Sequence, residues 1–181
     1  MIYDLPVTLD INKITFKIRS DFRAALDILT AMNDPNLDYR EKAIVLLQIL
    51  YVDYKNITDY KEAIEKAIWF IDCGKDYSKK KPKAVIMDWE QDFPLIVAPI
   101  NRILGYECRH ADYLHWWSFI SAYCEIGDCS YANVISIRNK KRKNKRLEKW
   151  EQEFYYENRE LIDLKKKISD DLQDEINSIL G

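Results

Sequence analysis

The run Leu114-His115-Trp116-Trp117-Ser118-Phe119-Ile120 constrains the fold of this chain more than any other stretch. Neighbours on a helix point about 100° apart, so Trp116 and Trp117 cannot share one narrow face. A helix carrying both is covered by protein on more than one side. That describes the middle of a core, or a core surface that also meets a partner. His115 beside them reads as a packed core residue, since one histidine is not a site. Only four glycines and five prolines in 181 residues argue for long regular elements, and 48% apolar residues are ample for a core. A chain of this length suits one domain with room for an appendage.

Apolar and polar residues alternate through Val7, Leu9 and Ile11, and again through Ile14, Phe16 and Ile18. Asn12-Lys13 lies between them, so the segment reads as a β-hairpin, although its turn lacks the Asn-Gly signature. Ser20 is placed to cap a helix to about Met32, with Phe22, Leu26 and Leu29 inward. Asp38 with Glu41, and Asp59 with Glu62, carry the spacing of capping boxes. The first opens an apolar helix through Ala43-Ile44, Leu46-Leu47 and Ile49-Leu50; the second opens one that should bury Ile64, Ala67, Ile68 and Ile71 and stop at Gly74. A lysine-rich loop follows, from Lys75 to Lys83. Asp88 starts the next helix, where Pro94 and Pro99 should kink or break the pattern before Gly105. The tryptophan helix is expected from about Asp112 to Ile126, and Ser130 should cap one more through Val134, Ile135 and Ile137.

The last segment differs in character. Arg138 to Arg146 holds seven basic residues in nine. Beyond it Leu147, Trp150, Phe154, Leu161, Leu164, Ile168, Leu172, Ile176 and Ile179 recur at helical spacings, interrupted at Glu157. A single helix of that length would run on the order of 50 Å. The expected division is a helical domain with its hairpin over 1–137, and a basic hinge with a long amphipathic helix over 138–181. The stripe of that helix must be buried on the body, on a second copy or on a partner.

Chemistry is scarce. Cys108, His110, His115, Cys124 and Cys129 match no zinc spacing, and Cys73 adds no C-x-x-C pair. The acids Asp88, Glu90 and Asp92 stand at a helix start, where the helix dipole favours them. Asp170, Asp171, Asp174 and Glu175 belong to a solvated face. With two histidines, no nucleophile–base spacing and no phosphate-cradling glycine loop, no enzyme, metal or cofactor is expected. No stretch is apolar for ~18 residues, so no membrane span is expected, and the first residues lack a signal-peptide pattern. The basic run alone suggests nucleic acid, through Arg138, Lys140, Lys141, Arg142, Lys143, Lys145 and Arg146. It lacks interleaved aromatics, and the net charge is −2, so this reading ranks second.

Several elements now stand in order. They are the hairpin leading into Ile18-Arg19-Ser20-Asp21-Phe22-Arg23, a middle from Ala63 to Phe70, then Asp88-Trp89-Glu90-Gln91-Asp92 and Gly105-Tyr106. Asp112-Tyr113-Leu114-His115-Trp116-Trp117-Ser118-Phe119 and Val134-Ile135-Ser136-Ile137-Arg138 with trailing lysines complete them. Together they resemble the bacteriophage gene-product-fifteen family of tailed phages and prophages, over roughly residues 5 to 145. The resemblance implies a small cytoplasmic protein of the tail-morphogenesis module, encoded between the tail tube and the tape measure. Proteins so placed look like tail assembly chaperones, which coat the long tape measure helix until tube subunits polymerise around it. The resemblance brings no catalytic residues.

The expectation is therefore a mainly α fold, a helical bundle with a small N-terminal β-hairpin and a long C-terminal helix. Its function is non-enzymatic: a tail assembly chaperone in the cytoplasm of the bacterial host that binds the tape measure protein or tail tube proteins. A second copy of the chain is a further candidate partner. Trp116, Trp117, Leu161, Leu164 and Ile168 are the candidate contacts. The alternatives are a nucleic-acid-associated phage protein using the basic run, and a structural tail or head-completion subunit that stays in the virion.

Overall fold

A computed structural model describes residues 4–75 and 85–165 of the chain. They fall into two compact units. The first takes its described residues from 4–75 and 113–120, the second from 85–112 and 121–165. The fold is mainly α, with one small antiparallel sheet near the N-terminus, as the periodicity predicts.

In the first unit β1 (Thr8–Ile11) pairs with β2 (Ile14–Lys17) in the register Leu9 to Phe16 and Ile11 to Ile14. Asn12 and Lys13 close the turn with φ of 48° and 66°, the primed geometry that matches strand twist. Asparagine tolerates that region. The strain at the turn is offset by anchoring: the Asn12 backbone N–H donates to Glu62 at 2.8 Å and its amide donates to Asp59. Leu9, Ile11, Phe16 and Ile18 form the buried face. They lie with α1 (Phe22–Met32), α2 (Tyr39–Leu50) and α3 (Tyr60–Ile71) around the core.

The caps differ from the expected ones in detail. Asp21, not Ser20, caps α1 by accepting from the Arg23 N–H, while the Ser20 hydroxyl lies 2.7 Å from that of Tyr113. The Asp38–Glu41 capping box is present in full. Asp59 caps α3, but Glu62 turns away to the hairpin. In α1 and α3 the buried stripes are rotated from the expected ones, to Phe22, Ala25 and Ile28 and to Ala63, Ala67 and Phe70. Alanines face the crowded side, where helices approach closely, and Ile68 is left 50% exposed.

The second unit opens with α4 (Trp89–Leu104), which runs unbroken through Pro94 and Pro99. Each proline removes one backbone bond. The helix survives because Asp88 caps its start, Gly105 (φ 78°) closes its end, and Ile96, Val97, Pro99 and Ile100 are buried. Next, α5 (Trp116–Cys124) is shorter than expected and begins in the first unit. Then α6 (Ser130–Arg142) starts after Cys129, whose side chain makes no cap bond; Ser130 is already inside it. It crosses positions 137 and 138 without a break, so the basic run is not a hinge up to Arg142.

The long C-terminal helix is a correction. Within the described residues it is two short helices, α7 (Lys149–Glu157) and α8 (Arg159–Ile162), parted at the non-helical Asn158 (φ −124°). α8 ends at Ile162, where side chains from distant parts of the chain take the neighbouring backbone groups. Arg138 takes the carbonyls of Leu161 and Ile162, and the Gln91 side chain accepts from the Lys165 N–H while donating to the Asp163 carbonyl. The later stripe residues Ile168, Leu172, Ile176 and Ile179 lie outside the described residues, as does most of the lysine-rich loop.

Candidate partner-binding surface

The tryptophan pair is explained by the end of α3. A helix C-terminus leaves carbonyls without intrahelical partners. The Trp116 indole N–H donates to the Ile71 carbonyl at 2.9 Å, and that of Trp117 donates to the Phe70 carbonyl at 2.8 Å. Adjacent tryptophans thus serve adjacent carbonyls. Trp116 is 2% exposed and stacks beside Phe119, which stacks in turn on Phe22 at 4.7 Å. It is core and not a contact. Trp117 is only half-buried and meets Trp69 edge-to-face at 5.4 Å. Gly74 (φ 76°) lets both indoles close over the end of α3: a Cβ there would lie 3.2 Å from the Trp117 ring. Trp69 is 39% exposed, so the two indoles form an aromatic step at the surface beside Ile68.

His115 positions that step. Its backbone carbonyl starts α5, and its Nδ1 accepts from the Trp117 N–H at 3.0 Å. Nδ1 is therefore the unprotonated nitrogen, and Nε2–H donates to the Pro6 carbonyl at 3.0 Å. Burial holds the imidazole below its ordinary pKa, with the Pro6 bond opposing. Asp21 accepts from the Leu114 N–H, and the backbones of 20–22 and 114–116 exchange two further bonds.

Of the other expected contacts, Leu161 is already used. It packs against Val134, Ile137 and the fully buried Ile162. Leu164 is half-buried, and Ile168 lies outside the described residues. The basic run also divides. Arg138 is buried in an ion pair with Asp92, which corrects its reading as a nucleic-acid contact. Lys140 pairs with Glu151 at 2.7 Å, and Lys141 pairs with Asp163 over the Tyr155 ring. Arg142, Lys143, Lys145 and Arg146 are exposed. The run ends α6 in a Schellman turn, with Asn144 left-handed (φ 51°) and the Lys145 N–H on the Lys140 carbonyl. Cations there complement the helix dipole.

The family model described as Bacteriophage Gp15 protein matches residues 1–164. The chain belongs to that family of bacteriophage proteins. No curated protein and no solved structure matches it. In this Gp15 family member the match spans both units, and the tryptophan step, the Asp92–Arg138 pair and the hairpin all lie within it. Sequence reasoning missed Trp69 as the partner of Trp117 and Asp92 as the partner of Arg138. The adjacent Trp69-Phe70 was a usable signal, being a second aromatic pair that cannot share one helix face; the ion pair left none.

Other features of the Gp15 chain are less suggestive. Among the described residues no group of three or more His, Cys, Asp or Glu side chains is placed to hold a metal ion. Nor is any helix among them long and apolar enough to cross a membrane. In the first unit an open groove of about 840 Å³ carries apolar Val7, Ile18, Ile49 and Val52. Its arginines are tied down: Arg19 donates to the carbonyls of Gln48, Ile49 and Tyr51, and Arg23 pairs with Asp21.

Proposed function

We propose that this chain is a non-enzymatic tail-morphogenesis protein, a tail assembly chaperone that shields apolar helix faces of the tape measure protein in the host cytoplasm. The observation that carries this reading is the exposed Trp69–Trp117 step beside Ile68, in a member of a bacteriophage protein family. Large aromatics held rigidly at a surface supply contact area at little entropic cost, and aromatic residues are enriched where interfaces concentrate their energy. An amphipathic helix laid across the step would bury its apolar stripe there. The Leu161 end of the C-terminal stripe packs within its own unit, so the step replaces it as the favoured contact. Co-expression with the tape measure protein encoded in the same tail module tests the proposal. The chaperone should keep that product soluble and co-purify with it. A chain that neither binds nor solubilises the product, and is found stoichiometrically in finished virions, would be a structural subunit instead.

A further inference from the structure

The hairpin leaves the edge of β1 open. In a two-residue turn the flanking residues, here Ile11 and Ile14, form a hydrogen-bonded pair, and such pairs then alternate along the ladder. Leu9–Phe16 is the next of them, and the Ile18 N–H on the Val7 carbonyl at 3.0 Å fixes the same phase. The backbone groups of Thr8 and Asp10 therefore point away from β2. The far side of β2 is occupied at its C-terminal end, where the Arg19 N–H reaches the Leu50 carbonyl and the Val52 N–H reaches that of Lys17. On the β1 side, no backbone group among the described residues answers Thr8 or Asp10. A cleft of about 340 Å³ runs along this edge, walled by Leu9 and Asp10 on one side and by Glu65, Lys66 and Trp69 of α3 on the other.

We propose that β1 pairs with β1 of a second copy of this chain, antiparallel and centred on Leu9. Open strand edges are templates for such pairing, and a two-fold interface must be self-complementary. This edge meets that condition twice. With Leu9 on the axis, Thr8 of each copy lies opposite Asp10 of the other. Their two N–H and two C=O groups are then satisfied with none left over, and the Thr8 hydroxyl can donate to the facing Asp10 carboxylate. The same axis turns the α3 walls toward each other, setting Glu65 of one copy against Lys66 of the other. An edge of one charge sign would repel its own copy; this one carries both signs.

The test is the mass of the full chain in solution, measured by light scattering after size exclusion, with amide exchange at Thr8 and Asp10. The proposal expects a dimer, twice the 21.6 kDa chain, with both amides protected. Proline is tolerated where a strand N–H faces outward from an edge, so Thr8→Pro should leave a folded hairpin and yield a monomer. A second pair of variants holds if that one fails to fold. Glu65→Lys should weaken the dimer by about tenfold or more through like charges, and Glu65→Lys with Lys66→Glu should restore it. A wild-type chain that stays monomeric, with Thr8 and Asp10 amides exchanging freely, overturns the proposal. So does a dimer that is indifferent to both Thr8→Pro and Glu65→Lys, because its interface then lies elsewhere. Trp69 borders both this edge and the tryptophan step, so the variants avoid it.

Discussion

Arg138 and Asp92 meet in a two-pronged ion pair inside the second unit. Nη1 lies 2.7 Å from one carboxylate oxygen and Nη2 lies 2.9 Å from the other, with Asp92 fully buried and Arg138 7% exposed. Neither charge has spare capacity. Asp92 also accepts from the Asp88 N–H, and Arg138 donates to the carbonyls of Ile86, Leu161 and Ile162. One guanidinium thus ties α4, α6 and the end of α8. Removing one partner leaves the other charged and buried, which costs about 3–5 kcal/mol, whereas replacing both by apolar groups of similar volume is often neutral. Arg138→Met should therefore lower the urea midpoint strongly, and Asp92→Leu in the same chain should recover much of the loss.

His115 sets a pH dependence whose sign follows from its contacts. The folded state holds the imidazole neutral, below its ordinary pKa of 6.5, because the ring is buried and Nδ1 must accept from the Trp117 N–H. Below pH 6.5 the unfolded chain therefore binds more protons than the folded one, so stability falls as the pH falls. Above pH 6.5 this group gives no slope. Urea titrations should show a plateau above that value and a decline beginning just below it, before the carboxylates titrate. In His115→Gln that early decline should be absent, at a lower overall stability.

What the sequence showed and what it hid have physical causes. Hairpin, helix order and the Asp38, Asp59 and Asp88 caps were legible because they depend on residues within a few positions of one another. The rotation of the α3 stripe was not, because Ala67 and Ile68 both suit a core and only the neighbour decides which fits. Periodicity ran Leu147 to Ile162 together as part of one helix, yet among the described residues α8 ends at Ile162, where Gln91 and Arg138, far away in sequence, take the backbone groups of Leu161, Ile162, Asp163 and Lys165. Seven clustered cations read as one surface, although burial removed Arg138 and acidic partners took Lys140 and Lys141. At the candidate surface, Trp117 was identified and Trp69 was not, since their contact spans 48 positions.

The exposed remainder of the basic run limits any nucleic-acid binding. Arg142, Lys143, Lys145 and Arg146 are four cations, so the logarithm of affinity against that of salt should have a slope no steeper than about −3.6, at about −0.9 per phosphate. Filter binding to duplexes of unrelated sequence should give equal affinities, lost between about 50 and 200 mM salt. Changing the four to Gln should abolish it without moving the urea midpoint. Sequence-specific binding that survives the higher salt would raise the nucleic-acid reading above the chaperone one.

The tryptophans separate stability from recognition. Trp116 fills the core of the first unit and caps α3, so Trp116→Ala should cost about 3–5 kcal/mol. Trp117→Ala also removes a cap bond, but from a half-buried ring, and should cost less. Ile68→Asp and Trp69→Ala touch no cap; Ile68 is half-exposed and should cost under about 1 kcal/mol, while Trp69→Ala loses a ring packed on Trp117 and should cost more than that but less than Trp116→Ala. These last two are therefore the informative ones for function. If the aromatic step receives the tape measure helix, Ile68→Asp with Trp69→Ala should let the co-expressed long product aggregate while this chain keeps its helical circular dichroism and a cooperative urea transition. The two halves of that result must occur together. Aggregation with the helical circular dichroism lost would mean only that this chain had unfolded. A folded variant with the long product still soluble would mean that the step is not the contact, and the open groove lined by Val7, Ile49 and Val52 would be the next surface to substitute.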